Sequence, residues 1–258
     1  MSAPAPARTE TRATIGTLAR RVGAELLGTG LLVTVVVGSG IAAQRLSSDT
    51  GLQLLENSIA TAFGLGVLIL LLGPVSGAHF NPAVSLADAL LGRRTRAGLS
   101  LPLLALYISA QILGGIGGAV LANAMFAVPT AISTTDRATP ATVLAEVVAT
   151  AGLVLLIIGL ARAGRSVPVV AAAVGAYIGA AYWFTSSTSF ANPAVTIGRV
   201  FTDTFAGIAP GSVLPFLGAQ LVGAAAGIAL AVLLFPNATE AGDLVAEPVL
   251  TETKETSR

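Results

Sequence analysis

Six long apolar stretches constrain this chain more than any other feature. They lie at residues 26–43, 58–73, 99–123, 141–161, 167–186 and 212–235. Each is close to the ~20 residues that a helix needs to cross the apolar core of a bilayer. The composition agrees, because 54% of the 258 residues are hydrophobic and only 10% are charged. We therefore predict an all-α membrane protein with six transmembrane helices.

The two ends of the chain are polar, and we expect both to be disordered tails. The N-terminal tail spans residues 1–20, the acidic C-terminal tail spans residues 237–258, and one domain occupies residues 21–236 between them. Arginines cluster between the second and third stretches and between the fourth and fifth, at Arg93, Arg94, Arg96, Arg162 and Arg165. The positive-inside rule makes these segments and both tails cytoplasmic, in the cell (inner or plasma) membrane.

The chain repeats itself after roughly 110 to 120 residues, which predicts two related halves at about 21–123 and 141–235. Three segments recur: AELLGTGLLV from Ala24 as AEVVATAGLVLL from Ala145, SGAHFNPAVS from Ser76 as STSFANPAVT from Ser187, and AQILGGIGGAV from Ala110 as AQLVGAAAGIAL from Ala219. Because each half carries three spans, an odd number, the second half enters the membrane with inverted topology.

Each half contains an Asn-Pro-Ala motif, formed by Asn81, Pro82 and Ala83 and by Asn192, Pro193 and Ala194. The apolar stretches that follow, 83–91 and 194–201, reach only about half of the ~30 Å core at 1.5 Å per residue. We expect two re-entrant half-helices that meet near the midplane, with asparagine as N-cap and proline at the first helical position. The asparagine amides would donate to a passing neutral solute, and the opposed helix dipoles would exclude cations and protons.

Paired Asn-Pro-Ala motifs in inverted three-span halves, each with a glutamate and a glutamine, resemble the aquaporin, or major intrinsic protein, family over residues 21–235. The resemblance implies a right-handed bundle of six helices and two half-helices, with one pore per subunit, in a homotetramer. It also implies a passive channel for water and small uncharged solutes that needs no cofactor and is not an enzyme. The rivals are a strictly water-selective pore, a coupled secondary transporter and a non-conducting scaffold protein.

Four polar residues inside the spans recur in both halves: Glu25, Glu146, Gln111 and Gln220. Carboxylates within a membrane could serve a proton-coupled transporter. The resemblance instead implies that they accept the N–H groups of the re-entrant loops, and we favour this structural role. The glutamines are expected to form interhelical hydrogen bonds. His79 either senses pH or pins its loop while lining the pore, and we favour pinning.

The residue after the second motif departs from the family, because Val195 stands where most members have an arginine that narrows the pore. Family spacing places Thr61, Ala180 and Ser189 in the same selectivity filter, with Phe63 as the alternative to Thr61. Such a filter is wide, and it resembles bacterial aquaglyceroporins without the arginine, some of which are linked with arsenic. Glycerol-like polyols and neutral metalloid hydroxides such as arsenite are the expected solutes beside water.

Arg199 lies one helical turn beyond Val195, and two interpretations remain open. It either supplies a displaced positive charge at the pore vestibule or forms an ion pair with Asp203. Tyr182 and the two aromatic residues after it are expected to form an outer interfacial belt. Pairs of glycines four residues apart are expected to let helices pack closely inside the subunit; they are Gly114 with Gly118, Gly175 with Gly179, and Gly223 with Gly227.

Several function classes are excluded by what the sequence contains. Fourteen basic and thirteen acidic residues nearly cancel, so no basic face is expected for nucleic acid. One histidine and no cysteine leave no expected metal site or disulfide. No nucleophile, base and orienting group converge in the sequence, so we predict no catalytic residues.

Overall fold

The computed structural model describes residues 15–93 and 98–235, and over this part the chain forms eight α-helices and one 3-10 turn. The helices are α1 (Ile15–Leu46), α2 (Thr50–Ser76), α3 (Pro82–Leu91), α4 (Leu101–Met125), α5 (Pro140–Arg162), α6 (Val167–Phe184), α7 (Pro193–Gly198) and α8 (Pro210–Leu234), and the 3-10 turn spans Arg199–Phe201. Six of them are long and apolar enough to cross a membrane. The prediction of an all-α protein with six spans is therefore confirmed.

The first helix begins earlier than the sequence analysis predicts. Residues 15–20 belong to α1, so the assignment of residues 1–20 to a disordered tail is wrong for its last six positions. Basic residues do not interrupt the helix, because their long side chains find partners there: Arg20 donates to the carbonyl of Gly16, and Arg21 to the hydroxyl of Tyr107. The rest of both predicted tails, with Arg94 and Arg96, lies outside the described residues.

The two halves are built on matching helix pairs, α1 with α4 and α5 with α8. Glycines allow each pair to approach closely. A Cβ atom on Gly118 would lie 2.1 Å from the carbonyl oxygen of Gly30, and one on Gly227 would lie 2.5 Å from that of Ala151. Both distances are far below van der Waals contact, so no larger residue fits. The expectation that the spaced glycines pack helices inside the subunit is confirmed.

The two half-helices, α3 and α7, begin at the proline of each motif, with the asparagine as N-cap. The side-chain oxygen of Asn81 accepts from the N–H of Ala83, and that of Asn192 accepts from Ala194 and Val195. The second half-helix ends at Gly198 and continues as the 3-10 turn, where the sequence predicted one helix through residue 201. Tightening into a 3-10 turn is a common way for a helix end to satisfy its last carbonyls.

The outside of the bundle is apolar. Large side chains such as Phe63, Leu113 and Leu214 are exposed, as expected of a surface that lipid covers. Trp183 and Phe184 are also exposed and fit the expected aromatic belt. Tyr182 does not, because it is buried inside the bundle; its assignment to the belt is wrong.

Candidate functional site

The first re-entrant loop, which joins α2 to α3, is held by Glu25. The carboxylate of Glu25 accepts from the backbone N–H groups of His79 (3.0 Å) and Phe80 (2.7 Å). It also accepts from the hydroxyl of Ser76 (2.6 Å) and the amide of Gln111 (2.7 Å). Four donors thus surround a fully buried acid, and two of them are loop N–H groups that no helix would satisfy.

The second re-entrant loop, between α6 and α7, is held in the same way by Glu146. Its carboxylate accepts from the N–H groups of Phe190 and Ala191, both at 2.8 Å. The hydroxyl of Ser187 (2.6 Å) and the amide of Gln220 (2.7 Å) complete the set. This is the geometry that the structural interpretation of the two glutamates requires, and neither glutamate borders the cavity described below.

The loops are strained where they turn into the half-helices. Phe80 and Ala191, each just before its asparagine, have φ angles of 49° and 45°. A residue with a side chain held in this left-handed region costs on the order of 1–3 kcal/mol. Since the N–H groups of the same two residues bind the glutamates, the carboxylates offset the strain.

The two motifs meet and bind each other. One amide N–H of Asn81 donates to the carbonyl of Ala191 (2.8 Å), and one of Asn192 donates to the carbonyl of Phe80 (2.7 Å). We expected the amide donors to face a passing solute. The structure commits one N–H of each amide to the opposite loop, which leaves one per asparagine beside the cavity.

A cavity borders both asparagines, and both apolar and polar side chains line it. Its apolar wall includes Leu32, Leu65, Leu153 and Val174. Its polar side chains are Thr61, His79, Asn81, Tyr182, Ser189, Asn192 and Arg199. A lining that combines hydrocarbon side chains with several hydrogen-bonding groups suits small neutral solutes that carry several hydroxyls.

His79 borders the cavity and is also fixed in its loop. Its Nδ1 lies 3.1 Å from the hydroxyl oxygen of Ser85, and its ring meets the Tyr107 ring edge-on at 5.6 Å between centroids. Ser85 in turn accepts from Gln111. These contacts favour the interpretation that His79 pins the loop while its ring lines the pore.

The predicted filter residues divide into three that border the cavity and one that does not. Thr61, Ser189 and Val195 border it. Phe63, the alternative to Thr61, faces outward with 74% of its surface exposed. The placement of Ala180 is wrong, because this residue is exposed on the outside of α6. Helix geometry gives the reason: the inward face of α6 carries Ile178 and Tyr182, four residues apart, and a residue midway between them points away.

Tyr182 is the functional candidate that the sequence analysis missed. Its hydroxyl oxygen lies 3.1 Å from that of Thr61, inside the bundle. The spacing of Val174, Ile178 and Tyr182 at four-residue intervals was the available signal. Family spacing counted back from the motif was a weaker guide than this periodicity.

Arg199 is 3% exposed and borders the cavity. Its guanidinium carbon lies 3.5 Å from the centroid of the Phe190 ring, and its Nε donates to the carbonyl oxygen of Ala206. The alternative of an ion pair with Asp203 is wrong, since that carboxylate accepts instead from the N–H (2.9 Å) and hydroxyl (3.1 Å) of Thr134. The backbone hydrogen bond from Thr134, more than any other contact, lowers the pKa of Asp203.

Within residues 15–93 and 98–235, no three acidic or histidine residues come together in a way that could hold a metal ion.

Comparisons with known proteins agree in both sequence and fold. A sequence profile described as major intrinsic protein matches residues 12–189. The chain is 53% identical to aquaglyceroporin AqpS of Rhizobium meliloti (strain 1021) over 215 residues, which cover 83% of this chain and 89% of that protein. It is 44% identical to aquaporin-8 of Notomys alexis over 99 residues, 38% of this chain and 34% of that protein. The X-ray structure of the aquaglyceroporin from Plasmodium falciparum shares the fold, with a TM-score of 0.61 at 21% identity over 85% of this chain and 96% of that one.

Proposed function

This chain belongs to the major intrinsic protein family, and from that membership we propose that it passively conducts water, glycerol-like polyols and neutral metalloid hydroxides such as arsenite. The family makes it a multi-pass membrane channel and not an enzyme. Its similarity to a protein named an aquaglyceroporin over most of both chains supports the solute range.

The observation that carries the solute range is the side chain at position 195. Val195 borders the cavity, as Ser189 does, and follows the second motif directly. Valine has no donor and no charge, and it is short. An arginine at this position is a longer and charged side chain, which would narrow the cavity. The valine therefore supports a wider opening that is less polar at this point.

Proton exclusion is proposed on the basis of the half-helices. The half-helices α3 and α7 both begin at the paired motifs, whose asparagines border the cavity. Their positive dipole ends face each other there, which raises the energy of a cation or of a protonated water chain. The uncommitted N–H of each asparagine orients a passing hydroxyl without offering a proton acceptor.

The surroundings of the pore are proposed from the family and from the charge pattern. The channel domain functions as a homotetramer in the cell membrane with both termini in the cytoplasm, and each subunit has its own pore. Residues from both halves of the chain line the cavity, which supports one pore per subunit.

The experiment is a stopped-flow measurement of flux into proteoliposomes under gradients of water, glycerol and neutral arsenite. Wild type is compared with Val195→Arg and with the matched control Val195→Leu, which keeps an apolar side chain. We expect the arginine to slow glycerol and arsenite about tenfold, equivalent to ~1.4 kcal/mol, while water flux survives. The leucine variant should stay near wild type.

Each rival predicts a different outcome. Water flux alone in the wild type and both variants would establish a strictly water-selective pore. Solute flux that depends on an ion gradient would establish a coupled transporter. No flux of any kind through folded protein would establish a non-conducting scaffold protein.

A further inference from the structure

We propose that Arg199 is a specificity-determining residue of this pore. It brings a cation and several hydrogen-bond donors to the cavity wall beside the hydroxyls of Ser189 and Tyr182. We call these three residues the Arg199 site. The site binds the hydroxyls of neutral solutes in transit and repels cations. This inference rests on the proposed channel function and deepens it.

The position of Arg199 follows from the end of the second half-helix. Arg199 begins the 3-10 turn directly after α7, and its backbone N–H donates to the carbonyl of Val195, four residues earlier. Residues with this spacing share one helix face, and both side chains border the cavity. The valine therefore does not leave the pore without a cation; the charge lies about one turn further along.

Two contacts fix the guanidinium of Arg199 in place. The Phe190 ring lies under it, with 3.5 Å between the guanidinium carbon and the ring centroid. The carbonyl of Ala206 accepts from Nε. Stacking on an aromatic face and one carbonyl bond orient the planar group and leave its two terminal nitrogens without an acceptor in the described part of the chain.

A buried guanidinium with unused donors needs an explanation, because burying an unpaired charge is costly. Within the described ranges no carboxylate forms a salt bridge with Arg199: Asp203 accepts from Thr134, and Glu146 attracts the guanidinium without a hydrogen bond to it. The donors border the cavity, so water or solute in the pore can satisfy them. This arrangement indicates a group whose partner passes through the channel.

Ser189 provides a second, independent observation at the same place. Its side chain is 4% exposed, its hydroxyl oxygen has no partner in the described structure, and it borders the same cavity. The paired hydroxyls of Tyr182 and Thr61 lie nearby on the cavity wall. A small polyol could accept from Arg199 and exchange hydrogen bonds with Ser189, while its carbon side faces Val195.

Arg137 provides a matched control. It also stacks against Phe190, with its guanidinium carbon 5.5 Å from the ring centroid. Its side chain is used differently, since it donates to the carbonyls of Gly207 (2.6 Å) and Phe205 (2.7 Å) and does not border the cavity. Arg137 itself does not line the cavity, so a substitution here removes an arginine from the same loops and leaves every lining side chain present.

The test compares Arg199→Gln, Arg199→Leu and Arg137→Gln in proteoliposomes. It measures water flux, glycerol flux, and K⁺ and proton leak with voltage- and pH-sensitive dyes. Glutamine removes the charge but keeps an amide donor, so we expect cation or proton leak to rise about tenfold while the glycerol-to-water ratio stays within about twofold. Leucine removes both, so the glycerol-to-water ratio should also fall about tenfold. Arg137→Gln should match wild type in both readouts.

Two results would overturn the proposal. One is wild-type leak and wild-type ratio in both Arg199 variants; the other is an equal effect of Arg137→Gln. If neither Arg199→Gln nor Arg199→Leu folds, as judged by size exclusion and water flux, Arg199→Lys is measured instead. Lysine keeps the positive charge, so the proposal requires that this variant still exclude K⁺. A wild-type protein that conducts no glycerol would instead reject the proposed function.

Discussion

At the scale of single residues, the two halves of the molecule use the same chemistry for the same task. Glu25 and Glu146 each accept two backbone N–H groups, one serine hydroxyl and one glutamine amide. Each glutamine then donates to a hydroxyl on its half-helix, Ser85 or Thr196. In both halves, the glutamate and the glutamine together connect two long helices, a strained loop and a half-helix.

Glu25→Gln should destabilise the fold strongly. The amide of glutamine would turn an NH₂ group toward donors that need an acceptor, and each buried N–H left without one costs about 1–3 kcal/mol. We expect a loss of about 3 kcal/mol or more, seen as a lower midpoint of thermal unfolding in detergent.

Two further variants make that measurement decisive. Glu146→Gln should cost about as much as Glu25→Gln, because its donor set is the same. Glu56→Gln should change little, since Glu56 is only half-buried on α2. A small effect at Glu25 or a large one at Glu56 would contradict the structural role of the buried acids.

Residues that repeat were predictable from the sequence, and residues that depend on tertiary contacts were not. The motifs, the glutamates and the glutamines all appear twice at similar spacing, so each copy supports the other. Ala180 was placed by counting alone, and one step of two residues on a helix turns a side chain to the opposite face. The orientation of Arg199 depends on Phe190 and on the carbonyl of Ala206, and no local pattern indicates either contact.

At the scale of helices, the half-helices are too short to be stable alone. Isolated helices of fewer than ~12–15 residues are marginal in water, and α3 has 10 residues and α7 has 6. Their asparagine caps and their packing against α4 supply what length does not. The sequence predicted their starts from Asn-Pro; it did not predict the 3-10 ending of the second, which depends on packing.

The close contact of α1 with α4 predicts opposite effects of alanine substitution at two glycines that are adjacent in the sequence. Gly118→Ala would place a methyl carbon 2.1 Å from the carbonyl oxygen of Gly30, which forces the helices apart. Overpacking of this kind costs typically 1–3 kcal/mol. Gly117→Ala meets nothing within 4 Å, and alanine is the better helix former by up to ~1 kcal/mol.

We expect Gly118→Ala to lower the thermal midpoint in detergent and the yield of monodisperse protein, and Gly117→Ala to leave both unchanged or raise them. Equal behaviour of the two variants would show that the helices can separate without cost at this contact.

At the scale of the whole molecule, inverted halves account for the position of the pore. Because the two loops enter from opposite faces, their asparagines meet in the interior and each binds a carbonyl of the other loop. Apolar length alone predicted the six spans, and the repeat predicted the inversion. Helices of both halves, by contrast, contribute to the cavity wall. Which residues line it therefore depends on tertiary packing and could not be predicted from the sequence.

Orientation in the membrane can be tested with single cysteines, because the sequence contains none. Ser48 lies in the α1–α2 connection, Ser166 in the α5–α6 connection, and both are exposed. The arginine pattern makes the first exterior and the second cytoplasmic. A membrane-impermeant maleimide should label Ser48→Cys in intact cells and Ser166→Cys only after the membrane is opened.

The same experiment determines which side of the membrane the Arg199 site faces. The N–H of Phe205, next to the residue that holds Arg199, donates to the side chain of Gln44 at 2.9 Å. Gln44 is close in sequence to Ser48, so the two belong to one end of the bundle. Labelling of Ser48→Cys from outside therefore places the Arg199 site at the exterior mouth, where it would meet solutes entering the cell. The reverse pattern would place it at the cytoplasmic mouth, and labelling of both in intact cells would contradict the spans themselves.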